Sequence, residues 1–170
     1  MKQEIINKLP PDVKKEFMKY AIKLDQKKTE NKVKSDFLSF VKHVWPEFIE
    51  GDHHKKISEK FNRLANGDCK RLIINMPPRH TKSEFASYML PSWMVGRKPD
   101  LKIIQTTHTT ELAIRFGRKA KTLIDSPEYQ QVFKTRLRED SQAAGKWETE
   151  QGGEYYAAGV GSAITGRGAD

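Results

Sequence analysis

The chain has 170 residues, enough for one ordinary domain with its own core. Apolar residues make up 36% and charged residues 31%, and no apolar run approaches the ~18–20 residues of a membrane span, which excludes a helical membrane protein. One cysteine, Cys69, excludes an internal disulfide and a cysteine metal cluster.

The N-terminus lacks the apolar core of a signal peptide, so a reducing, cytoplasmic setting fits. The net charge of +9 is uneven, because residues 1–34 hold ten lysines against five acidic residues. Such a basic arm suits a polyanion such as nucleic acid, or else a solvated helix that keeps the protein soluble.

Residues 12–28 have the spacing of an amphipathic helix, with Val13, Phe17, Ala21 and Leu24 on one side and lysines on the others. Residues 29–34 are polar and read as a linker. Phe37, Leu38, Val41, Val44, Trp45 and Phe48 predict a second helix, capped by Ser35 or Asp36 and limited by Pro46. Residues 52–65 predict a third, with Ile57, Phe61 and Leu64 facing in, closed by the turn Asn66-Gly67-Asp68.

The pattern then changes. Residues 71–76 form a short apolar run suited to a buried parallel strand. Residues 82–95 read as a helix that Pro91 should kink or shorten. A second buried strand is predicted at 101–107 and a further helix at 111–124. This alternation predicts an α/β fold with a parallel sheet. Residues 146–150 and 154–158 flank Gln151-Gly152-Gly153 as a β-hairpin, and the glycine-rich 159–170 follows as a loop. Trp45, Trp93 and Trp147 read as core, and Cys69 as a buried, inert thiol.

The segment from Leu72 to Glu84 carries the chemistry. An apolar run enters a short loop that delivers Lys82-Ser83 to the start of a helix, the layout of a phosphate-binding loop. Neither usual glycine is present, since Met76 and Thr81 occupy those positions. Thr81 is β-branched and resists positive φ. Pro77 and Pro78 have no N–H, so His80, Thr81, Lys82 and Ser83 must supply the amides. The alternative is a plain strand–turn–helix with a solvated lysine.

Pro77-Pro78-Arg79-His80-Thr81-Lys82-Ser83-Glu84 resembles the variant Walker A loop of the large terminase subunit of tailed phages, the ATPase that drives DNA into the procapsid. Gly51-Asp52-His53-His54 upstream is similar to that family too. So are Pro91-Ser92-Trp93, Gly96-Arg97-Lys98-Pro99-Asp100, Trp147-Glu148-Thr149, Gly152-Gly153 and the closing Ile164-Thr165-Gly166-Arg167-Gly168-Ala169-Asp170. The likeness covers roughly residues 35–170, and Thr81 departs from it where many relatives carry glycine.

The resemblance implies a P-loop NTPase-like fold of the RecA-like ASCE kind, a parallel sheet with flanking helices. Residues 1–34 would be a basic helical arm and 35–170 a partial ATPase domain, with the Walker B strand, its carboxylates and a nuclease domain falling after Asp170. It implies ATP and Mg²⁺ as cofactors, held by Pro78, Arg79, His80, Thr81, Lys82 and Ser83. Lys82 would reach the β- and γ-phosphates, and the Ser83 hydroxyl the nucleotide-bound Mg²⁺.

By the same resemblance His54 would lie near the adenine, Arg79 would contact the γ-phosphate, and Arg167 would be a candidate arginine finger toward a neighbouring subunit. The alternative for Arg79 is a pair with a nearby carboxylate, and for Arg167 a surface-loop position. Implied partners are double-stranded phage DNA, the terminase small subunit, the portal protein and further copies in a ring, in the cytoplasm of an infected bacterium. The competing function is a non-catalytic basic module that binds DNA or phage proteins. Arg115, Arg118, Lys119 and Lys121 read as a solvated basic face.

Overall fold

A computed structural model describes residues 10–170; the first nine residues of the basic arm lie outside the described residues. Helix α1 spans Pro11–Ser35, α2 Phe37–Val44 and α3 Asp52–Ala65. A helical stretch over 82–97 then comprises α4 (Lys82–Glu84), a π-helical turn (Phe85–Met89) and α5 (Leu90–Arg97). Strand β1 (Lys102–Thr107), helices α6 (Thr110–Ile124) and α7 (Pro127–Val132), and strands β2 (Leu137–Ala143), β3 (Lys146–Thr149) and β4 (Glu154–Gly159) complete it.

The fold is mixed α/β: a four-stranded sheet of order β1-β4-β3-β2 with flanking helices. Only β1 and β4 are parallel, from Lys102↔Glu154 to Thr107↔Gly159. The predicted hairpin is present as the antiparallel pair β3–β4. It extends through β2, which the sequence pattern did not announce, because Arg138, Glu139 and Asp140 lack the apolar alternation of a strand. The sheet is therefore not wholly parallel as predicted.

The run at 71–76 makes no ladder. It is extended, and its burial alternates: Leu72, Ile74 and Met76 pack on the core while Ile73 is 86% exposed. Period-two burial without a strand neighbour is what remains when the apolar face is satisfied by helices but the backbone has no partner. β1 is likewise half-buried rather than fully buried, because β4 borders it on one side only. At its open edge Asp170 N–H donates to Lys102 O at 3.1 Å, and Lys102 N–H donates to the Asp170 carboxylate at 3.0 Å.

The helices depart from expectation in two places. The polar stretch 29–34 is helical, so α1 runs unbroken to Ser35, and of its residues only Val33 is buried. Val13, Phe17 and Leu24 stay 42–43% exposed, so their stripe does not face the core. In 82–97, Pro91 stands in the first turn of α5, directly after the π-helical turn that interrupts the α-helix. Its missing N–H and its ring would disrupt the preceding α-turn, and the π turn at Phe85–Met89 takes up that disruption just before it.

The core is aromatic. Phe37 lies edge-on to Phe61 (5.0 Å), Phe85 (5.4 Å) and Trp93 (5.5 Å). A Trp147–Tyr155 stack with centroids 4.7 Å apart covers the sheet, the two residues facing each other across β3 and β4. Trp93 and Trp147 are fully buried as expected, Trp45 only partly. Cys69 is not buried: it is partly exposed, its Sγ on Arg71 O at 3.2 Å.

Candidate functional site

Residues Pro77 to Glu84 line one cavity of about 230 Å³. A larger concavity of about 700 Å³ runs along α1 between Val13, Phe17 and Tyr20, but it is bounded by that single helix and is a surface furrow.

The loop backbone decides what the cavity can hold. Arg79 (φ 64°) and Thr81 (φ 58°) are both left-handed. That conformation costs a residue with a Cβ roughly 1–2 kcal/mol, and Thr81 adopts it at the position where the sequence lacks glycine. Immediately after it the helix begins, with Phe85 N–H donating to Thr81 O at 2.9 Å. The first amides of a helix have no intrahelical acceptor and sit at the positive end of its dipole, so those of Lys82, Ser83 and Glu84 form an anion-attracting rim. Lys82 Nζ reaches back across the loop to Met76 O at 3.1 Å. Ser83 is exposed beside it.

Two contacts fix this loop to the body. Glu84, the only acid in the loop, accepts hydrogen bonds from Lys119 Nζ (2.9 Å to each carboxylate oxygen), and the same ammonium sits over the Tyr88 ring at 5.0 Å. Lys119 therefore neutralises a carboxylate that would otherwise repel an anion. The reading of Lys119 as one member of a solvated face is corrected by this pair.

The second contact is His54 Nε2 to Thr81 Oγ1 at 2.7 Å. His54 is 6% exposed, its ring between Phe48 (4.8 Å) and Phe85 (5.2 Å), and its Nδ1 accepts Gly51 N–H at 2.9 Å. Burial, reinforced by neighbouring His53, holds its pKa below the ordinary histidine value, so the ring is neutral at pH 7.

The structure thus brings Pro78, Arg79, His80, Thr81, Lys82, Ser83 and His54 together. It places Arg167 elsewhere: at the N-terminal end of β4, its guanidinium 2.5 Å from Glu154 and 3.8 Å over the Tyr156 ring. His54 has both ring nitrogens engaged within the protein, so contact with a base would displace one of those bonds. His80 Nδ1 bonds Pro78 O at 2.9 Å. Sequence reasoning missed the Glu84–Lys119 pair, since 35 positions separate its members and nothing in the spacing of either segment joins them. It singled out His54 and Thr81 but did not join them.

No family model, curated protein or solved structure matches this chain.

Proposed function

We propose that this chain is the nucleotide-binding part of a DNA-packaging motor ATPase of the terminase large-subunit kind. The observation that supports it best is the left-handed Thr81 immediately before Lys82-Ser83 at a helix start. Energy is spent on a conformation that a plain turn would not need and a phosphate loop does. The cavity is smaller than the ~300–1,000 Å³ that encloses a whole small ligand, so it would take the phosphates and leave the nucleoside outside.

The donor set fits that use: an ammonium, a hydroxyl and helix-end amides, with Glu84 neutralised. Among the described residues no group of three or more His, Cys, Asp or Glu is placed to hold a metal alone. Magnesium would come with the nucleotide, touching Ser83, and would offset phosphate charge. Arg79, exposed on the rim, would meet the γ-phosphate. Arg167 could serve as a finger to a neighbouring subunit only after leaving Glu154.

In this reading ATP and Mg²⁺ are the cofactors. Double-stranded DNA, a small terminase subunit, a portal and further copies in a ring are the partners, and the host cytoplasm is the setting. The fold would be of the P-loop NTPase kind, built on the parallel β1–β4 pair within the mixed sheet. Titration calorimetry of the chain with Mg–ATP tests it: saturable binding is expected, lost at least tenfold in Lys82→Ala. Binding that Lys82→Ala leaves unchanged overturns the reading.

The exposed α1 favours a second reading, a basic module that binds polyanions and uses no nucleotide. Its lysines stand on a helix whose first twenty residues bury nothing. That reading expects DNA binding indifferent to Lys82→Ala and no response to ATP.

A further inference from the structure

Thr81, being β-branched, is poorly suited to its left-handed backbone. A β-branched side chain at positive φ persists only where its surroundings over-determine it. Here the surroundings are identifiable. The Thr81 hydroxyl accepts one hydrogen bond, from His54 Nε2 at 2.7 Å, and donates another, to His80 O at 2.7 Å. A hydroxyl has one proton, so His54 must be the donor in the first bond.

The other side of the ring makes that donor obligatory. His54 Nδ1 accepts the Gly51 N–H that precedes α3, so its single proton resides on Nε2. The ring cannot turn away, because Phe48 and Phe85 enclose it and only 6% of the residue is exposed. The start of α3 thus fixes a tautomer, the tautomer fixes a hydroxyl, and the hydroxyl fixes the φ of Thr81.

We infer that His54 is a positioning residue for the phosphate loop. It holds Thr81 left-handed so that the amides and ammonium after it face the cavity, a task that glycine at position 81 would make unnecessary. The ligand part of this inference rests on the proposed function; the clamp itself does not.

Two measurements on the full chain keep the two apart. The first needs no nucleotide: the three-bond coupling from the His80 carbonyl carbon to Hα of residue 81, which is large only at positive φ, and the ring ¹⁵N shifts of His54 by NMR. The wild-type protein should show a single positive-φ coupling at Thr81 and an Nε2–H tautomer. His54→Phe, which keeps the ring volume but cannot donate, and Thr81→Val, which keeps the shape but cannot accept, should each average that coupling toward ordinary backbone. An unchanged coupling in both variants, or an Nδ1–H tautomer, overturns the clamp.

The second is affinity for the non-hydrolysable probe Mg–AMP-PNP. His54→Phe and Thr81→Val should each weaken it by about tenfold, the factor that corresponds to the cost of the left-handed turn. Combining them should weaken it no further, and in a Thr81→Gly background His54→Phe should change it less than twofold. An equal loss in the glycine background overturns the positioning role, because His54 would then act on the ligand or on the fold. If the wild-type chain binds no AMP-PNP while the coupling responds as stated, the nucleotide reading fails and the clamp stands. Should His54→Phe not fold, Thr81→Val carries both measurements.

Discussion

Asp36 accepts hydrogen bonds from Ser39 N–H (2.8 Å) and Ser39 Oγ (2.6 Å), and from Asn62 Nδ2 (2.8 Å), while Asn62 Oδ1 accepts Phe37 N–H (2.8 Å). One side chain therefore caps α2 and ties it to α3. Burial by itself would raise the Asp36 pKa, but these hydrogen bonds to the charged form outweigh it, and the carboxyl titrates below its ordinary value. The sign follows. A depressed folded pKa contributes stability that is full above the unfolded value of about 3.9 and is lost as pH falls through the folded one. Asp36→Ala should cost about 1 kcal/mol at pH 7. In urea unfolding followed from pH 7 to pH 2, the gap between variant and wild type should narrow below about pH 4. A gap independent of pH would remove the charge from the account.

Among the elements, α6 comes closest to the sheet. A Cβ added at Gly117 would stand 2.4 Å from Ala144 O and 2.9 Å from the Tyr155 ring, and Gly117 O already accepts Trp147 Nε1–H at 3.3 Å. Ala144 O is backbone in the turn between β2 and β3 and cannot rotate away. Gly117→Ala should therefore destabilise the protein by roughly 1–3 kcal/mol, despite alanine's better helix propensity. Chemical denaturation checks this, and a stabilised variant would mean that α6 sits further from the sheet. The core on the other side rests on Phe37, whose replacement by alanine should cost about 3–5 kcal/mol.

For the whole molecule, charge and hydrolysis are the questions. Lys15, Lys19 and Lys23 are exposed on α1, so replacing all three with glutamate should leave Tm unchanged. If α1 meets duplex DNA, the same variant should flatten the slope of log affinity against log salt by about 0.9 for each phosphate contact removed. An unchanged slope would take α1 out of the DNA interface. Hydrolysis needs a carboxylate to orient water, and the loop's only acid, Glu84, is bound to Lys119. The 170-residue chain should therefore bind Mg–ATP with little turnover in a phosphate-release assay. Clear Mg²⁺-dependent turnover, abolished by Lys82→Ala, would show that this chain already holds what hydrolysis requires.

Local chemistry was legible in the residues themselves. The third helix begins and ends where its spacing predicts, at Asp52–Ala65, and Asp36 caps α2 as one of its two candidates. The loop from Pro77 to Glu84 was recognisable as a candidate because proline, lysine and serine act on the backbone next to them. What the sequence could not determine were contacts between distant segments. The stripe of α1 has helical period yet finds no partner among the described residues, and the run at 71–76 has strand character yet no ladder. Periodicity records which face is apolar, not what lies against it. The left-handed Thr81 was likewise a matter of tertiary structure: positive φ is an outlier for a β-branched residue, and here its hydroxyl meets a buried histidine 27 positions earlier.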